Sequence, residues 1–308
     1  MQFPNHSKVN EIILVGFPSL QRYSVLLFIA LLCIYIFIIA GNVLIFFVIR
    51  REPHLHFPMY FFIGTLSIAE IWYTAILIPK ILTDLLDDEK KISLTGCLLQ
   101  AYFAHVLGAS EAYILTVMAF DRYLAICKPL HYLSIMNTKL YVSLITGSFI
   151  LGFLLPIIEV VLISHLPFCG PNHIENVLCD FPPLISIACT DPTFYVLVEF
   201  FVSLFIISTT FPLVLLSYIR IVYVILKMKS KEGRRKAFST CGAHLIVVVL
   251  FFSSASFMYI RVSKSSSVNY DRAVDLTYVI FTPLVNPIIY GLKNHGIKKS
   301  IHKYLYPC

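Results

Sequence analysis

Long apolar runs separated by short polar ones organise this chain. Seven runs each have room for about 20 residues of helix, enough to cross the hydrocarbon core of a bilayer at about 1.5 Å per residue. They lie near 25–49, 58–80, 97–122, 140–163, 195–226, 237–260 and 271–292. The seventh is the least apolar, with Asp271, Arg272 and Asp275 near its start. Pro79, Pro156, Pro212, Pro283 and Pro287 fall inside runs, a placement that suits helices kinked within a protein bundle. No internal repeat is visible, which argues against many transporter folds. The pattern predicts an all-α membrane protein. Its seven-helix transmembrane domain spans 25–292, between an N-terminal segment 1–24 and a short tail 293–308.

The polar positions give the orientation. Of the 24 Lys and Arg, sixteen fall on the side reached by the first, third and fifth inter-run loops and the tail, with only Glu52, Asp121 and Glu232 of the 17 acids. This basic bias marks the cytoplasmic face, so the N-terminus is outside and the C-terminus inside. Composition agrees. The 308 residues are 58% hydrophobic and 13% charged, against about 25% charged in a soluble domain. The net charge of +7 belongs to the run ends, so no nucleic-acid partner is expected and the lipid bilayer is.

No cleavable signal peptide is expected, because residues 1–24 are mixed and the first apolar run is long enough to anchor itself. Asn5-His6-Ser7 is a glycosylation sequon on the outer side, with Asn5 the acceptor. Cys97 starts the third run on the outside, and Cys169, Cys179 and Cys189 share the outer loop after the fourth. Four cysteines in an oxidising compartment allow three pairings. Cys33, Cys127 and Cys241 are expected to be free thiols.

The motifs are read together. They are Gly41-Asn42 in the first run, PMYFFIGTLSIAE opening the second, MAFDRYLAIC closing the third, KAFSTCGAHL opening the sixth and PLVNPIIY closing the seventh. This set resembles the rhodopsin-like G-protein-coupled receptors and, within them, the olfactory (odorant) receptors. The resemblance covers essentially the whole chain. It implies disulfides Cys97–Cys179 and Cys169–Cys189, a small-molecule odorant as ligand, and a stimulatory, olfactory-type G protein raising cyclic AMP. It also implies a plasma-membrane location in the cilia of olfactory neurons. A rhodopsin-like receptor for a non-odorant metabolite is the alternative. Three positions depart from the family's usual residues: Glu70 for Asp, Phe120 for Tyr, and Phe252-Ser253 for Tyr-Gly.

Asp121 and Arg122 lie at the inner edge of the third run. A snorkelling anchor would use the Arg alone; an adjacent acid makes a resting ion pair that release can break. The resemblance supports an activation switch of Asp121, Arg122, Tyr123, Asn286, Pro287 and Tyr290. Pro287 frees a backbone carbonyl, which Asn286 is placed to satisfy. Glu70 and Glu111 are intramembrane acids, a functional signal in itself. Two such acids either share a proton or hold a sodium ion; the resemblance implies the sodium site, with Asn286 or Ser110 nearby, as a modulator in a chain that otherwise needs no cofactor. The run KMKSKEGRRK (227–236) combines the positive-inside signal with a surface for the G protein.

Small residues repeat along the third run at helical spacing, leaving packing space or room for a ligand. The ligand-binding candidates are Ala104, His105, Gly108, Ala109, Phe200, Phe205, Phe252, Ser256 and Tyr259, an apolar set with a few polar handles. Ala104 offers no acid to pair an amine, so an aminergic receptor is not expected. Ala104, Glu111 and Arg122 fall near one line along the helix, 18 residues making five turns. No metal-spaced His/Cys set and no nucleophile–base pair marks an enzyme, and the acids near the runs are too few to outline a transport path.

Overall fold

The structure, a computed structural model, describes residues 9–87, 89–168, 172–259 and 268–305. Seven long helices form a bundle: α1 (Ser24–Arg51), α2 (Pro58–Leu86), α3 (Leu94–Cys127), α4 (Thr138–Ser164), α5 (Thr193–Lys227), α6 (Lys231–Tyr259) and α7 (Val268–Lys293). An eighth helix, α8 (His295–Leu305), follows. Six of the seven are long and apolar enough by composition to cross a membrane; α6 has a shorter apolar stretch, Cys241–Ala255, among the described residues. Local chemistry sets several starts. Pro58 opens α2, where its missing N–H costs no helical hydrogen bond. Ser93 and Asn137 cap α3 and α4 by accepting from Gly96 N at 3.1 Å and Leu140 N at 3.0 Å.

The bundle has an apolar core, and the polar groups its helices carry are turned into it while the outward face is apolar, as a hydrocarbon surround requires. Val25, Leu26 and Ile29 on α1 and Leu213, Leu216 and Ile219 on α5 stay exposed. Asn42, Glu70, Glu111, Asp121, Arg122 and Asn286 are buried. Helix α3 is central: 67% of its most apolar window is buried, against 11% for the first and fifth spans. Glycine permits two close approaches. A Cβ on Gly41 would stand 3.0 Å from Pro287 Cβ, and one on Gly152 would stand 2.0 Å from Ser110 Oγ. The α1–α7 and α3–α4 contacts therefore depend on the missing side chains.

The all-α bundle carries one small addition that the apolar pattern does not predict. Outside the bundle lies a three-stranded sheet in the order β2-β1-β3: β1 (Glu11–Leu14) pairs antiparallel with β2 (Lys91–Ser93) and parallel with β3 (His173–Ile174). The segment EIIL alternates, placing Ile12 and Leu14 at 0% and 1% exposure over Cys97, Cys179 and Phe181. The N-terminal segment is thus built into the outer cap. At the opposite end, α8 buries Ile297 and Ser300 and exposes Lys298, Lys299 and Lys303, giving the tail an amphipathic helix.

Candidate functional site

The outer end is covalently closed. Cys97 at the start of α3 is bonded to Cys179 in the loop after α4. Gln100, one turn along, donates to Ile76 O at 3.0 Å and accepts from Cys179 N at 3.2 Å, joining α2, α3 and the loop. Among the described residues the free thiols are Cys33, Cys127 and Cys241, as their positions implied. Cys189 is disulfide-bonded; its expected partner Cys169, like the sequon residue Asn5, lies outside the described residues. The polar start of α7 also ties to this loop: Arg272 pairs with Glu175, and Asn176 donates to Asp275 at 2.8 Å.

Beneath the loop lie two adjoining cavities whose walls share His105, Gly108 and Tyr278. The upper one takes in Ala104, Asn176 and Asp180. The deeper one takes in Ala109, Glu159, Phe251, Phe252 and the α5 stripe Val202, Ser203, Ile206, Ile207 and Thr210. Its cavity volume is about 50 Å³. His105 stacks on Phe181 at 4.4 Å, and its Nδ1 stands 2.9 Å from Ala101 O and its Nε2 3.6 Å from Asp180. Five of the sequence-derived pocket residues therefore meet here: Ala104, His105, Gly108, Ala109 and Phe252. Phe200 and Phe205 do not. They are 56% and 48% exposed, because the cavity face of α5 is the 202–210 stripe and these rings turn outward to the lipid side. Ser256 and Tyr259 stand in α6, with side chains outside the described residues. Glu159 and Tyr278 were missing from the sequence-derived pocket. An acid inside an apolar run was the available signal for Glu159.

Below the cavities, Glu70 on α2 and Glu111 on α3 are buried at 0% and 3% exposure. Asn286 of α7 donates to Glu70 Oε1, while Glu70 Oε2 and Glu111 Oε1 have no hydrogen-bond partner. Among the described residues no set of three or more His, Cys, Asp or Glu is placed to hold a metal ion. The two acids are close enough for the charge of Glu111 to act on Glu70, and each leaves one carboxyl oxygen unbonded. Ser110 does not join them. Its hydroxyl donates to Val106 O at 2.7 Å and faces Gly152 of α4. The carbonyl freed by Pro287 is that of residue 283, four positions back. Asn42 satisfies it, donating to Pro283 O at 3.4 Å as well as to Ile38 O at 3.1 Å. Asn286 was expected in that role and instead serves Glu70, since its amide points across to α2.

At the inner end, Arg122 Nη2 and Nε reach Asp121 Oδ2 at 2.6 and 3.1 Å. Asp121 is fully buried and Arg122 is 9% exposed, which places the pair inside the protein. Tyr132, in the short helix Tyr132–Ile135 after α3, donates to Asp121 Oδ1 at 2.7 Å. Both carboxylate oxygens are thereby engaged, and this third member was not found from the sequence. Tyr123, half-buried, packs beside Phe120 at 6.4 Å. Tyr290 is buried with its hydroxyl unpartnered, so its ring is anchored by packing alone. A few residues along, α6 and α5 meet through Tyr218 Oη and His244 Nδ1 at 2.6 Å.

The comparisons with known proteins agree with this architecture. A family model described as "Olfactory receptor" matches residues 31–307. Human "Olfactory receptor 6N1" is 48% identical over 305 residues, covering 99% of this chain and 98% of that protein. Human "Olfactory receptor 6K3" is 50% identical over 303 residues, with 98% and 91% covered. Rat "Olfactory receptor 226" is 40% identical over 311 residues, with 99% and 95% covered. With matches that run the length of the seven-helix bundle, this chain belongs to the olfactory receptor family.

Proposed function

We propose that this odorant receptor takes a small, mostly apolar molecule into the paired cavities under the outer loop and signals through a stimulatory, olfactory-type G protein to raise cyclic AMP. The family is one of odorant receptors and is not enzymatic; the type of G protein, the cyclic AMP output and the ciliary plasma membrane are the inferred steps. The observation that carries the reading is the layout of α3. One helix bears the cavity residues His105, Gly108 and Ala109, the central acid Glu111 and the inner pair Asp121–Arg122.

In the resting arrangement Asp121 holds the Arg122 guanidinium with help from Tyr132. A ligand that favours a different packing of α3 against α5 and α6 weakens that hold, and the freed guanidinium then meets the G protein at the inner face. The unpartnered Tyr290 hydroxyl is available to a new arrangement of α7. Sodium at Glu70, Glu111 and Asn286 would tie α2, α3 and α7 together and favour the resting state. The basic residues of 227–236 and the amphipathic α8 complete the inner surface. Segment 1–24, with Asn5 glycosylated, is outside, and 293–308 is inside.

The test is cyclic AMP in cells carrying this chain and the olfactory stimulatory G protein, across a broad odorant panel, with surface staining. A ligand-dependent rise abolished in Arg122→Ala at equal surface level is the expected result. Silence of the well-displayed receptor across the panel would count against it.

A further inference from the structure

The α4 wall of the deeper cavity carries a group that the receptor reading leaves unused. Glu159 is 3% exposed, lines the cavity, and has no hydrogen-bond partner for its Oε2. Glu199 of α5 and Asp180 of the outer loop are near enough for their charges to act on it. No Lys or Arg is among the described residues lining either cavity. The basic group there is His105, whose Nε2 already faces Asp180 at 3.6 Å. Glu159, Asp180 and Asp275 line the two cavities, with Glu199 acting from α5, so among the described lining residues acids outnumber the one imidazole.

An acid at this depth is unfavourable as a lone carboxylate and leaves an oxygen unbonded as a neutral acid. An ammonium group supplies both a positive charge and N–H donors. An alcohol supplies a donor without the charge, and a carboxylic acid adds to the repulsion. The remaining wall is apolar, which suits a hydrocarbon body behind the charged head.

We propose that Glu159 is a specificity-determining residue that selects small protonated amines, accepting from the ammonium while the apolar body lies against Val202, Ile206, Phe251 and Phe252. The proposal rests on the reading of these cavities as the ligand site. It reverses the sequence-based expectation about amines. That expectation looked for the counter-charge at position 104 of α3, where Ala stands, whereas the acid comes from α4.

The test compares hexylamine, 1-hexanol and hexanoic acid on the full-length receptor in nanodiscs at neutral pH. Apparent affinity is read from ligand-dependent melting, with cyclic AMP read in parallel in cells. In wild type, hexylamine is expected to be favoured over 1-hexanol by about tenfold or more, the scale of a charge-assisted hydrogen bond. Glu159→Gln should collapse that ratio and Glu159→Asp should keep part of it. A ratio of two probes on one variant stays readable even if the variant folds less well. Equal or better binding of 1-hexanol or hexanoic acid, or an unchanged ratio in Glu159→Gln, overturns the proposal. So does a hexylamine that neither stabilises nor activates; if other odorants still activate, the receptor reading stands, and if none does, both fall together.

Discussion

Both ends of the bundle carry an ion pair, but the outer end adds covalent and backbone-ladder contacts to it. The Cys97–Cys179 bond and a three-stranded sheet close that end, beside the Arg272–Glu175 pair. The inner end is held by the buried Asp121–Arg122–Tyr132 cluster and by side-chain contacts such as Tyr218–His244. Covalent and backbone-ladder contacts do not exchange partners on a signalling timescale, whereas charge-assisted hydrogen bonds do. The contrast teaches where motion belongs. Under the proposed mechanism a fixed outer frame shapes the cavity and the far end of α3 rearranges, with the acids Glu70 and Glu111 lying between them.

The comparison is open to attack, beginning with the frame. Cys97→Ser should remove surface display almost entirely, since losing a native disulfide of this kind costs about 2–5 kcal/mol; surface staining against total expression reads it. Near-normal display would show that sheet and helices close the outer end unaided. Arg122→Ala should leave display intact and abolish the ligand-dependent cyclic AMP rise. Tyr132→Phe is milder: it removes one donor to Asp121, worth about 1 kcal/mol, so basal signalling should rise about fivefold. An unchanged baseline would mean that the tyrosine is only packing. Glu111→Gln should leave ligand response measurable but erase the dependence of basal signalling on sodium. The smallest effect belongs to the tail. Lys303 Nζ donates to Glu52 at 2.8 Å, and this hydrogen bond, with a further one from Tyr304, lowers the Glu52 pKa from 4.5. Lys303 is raised in turn. A depressed carboxyl contributes at neutral pH and loses its contribution as pH falls through its lowered value. Hydrogen exchange in 295–303 should therefore quicken, relative to the intrinsic rate, only below the ordinary carboxylate range, and in Glu52→Gln it should be faster already at neutral pH.

The spans were legible because a hydrocarbon surround demands unbroken apolar runs and backbone-satisfied helices. Placement along each span followed, and with it the meeting of His105, Gly108, Ala109 and Phe252. Rotation about the span axis did not follow. In water an apolar stripe reports which way a helix faces, but in lipid the outward face is apolar too. Phe200 and Phe205 therefore looked as suitable for a cavity as Val202 and Ile206, although they turn outward. Polar residues carry the phase instead. Glu70, Glu111, Glu159 and Asn42 all point inward, and giving Glu159 that weight would have found the α4 wall. The roles of Asn42 and Asn286 were hidden because either amide can satisfy a freed carbonyl, and the sequence does not say which one packs beside Pro283 O. Tyr132 was hidden in a loop of ordinary composition, and β1 in four residues of alternation.

That strand also bears on how the receptor is made. β1 is synthesised first, yet its neighbours are residues 91–93 and 173–174. Its parallel partner reaches the outer side only after the fourth helix has crossed the bilayer. Until then β1 has only its β2 edge paired, and Ile12 and Leu14 lack the part of their cover that Cys179 and Phe181 supply. A stall in insertion before residues 173–174 are placed thus leaves one strand edge open, a local mark by which an unfinished receptor differs from a finished one.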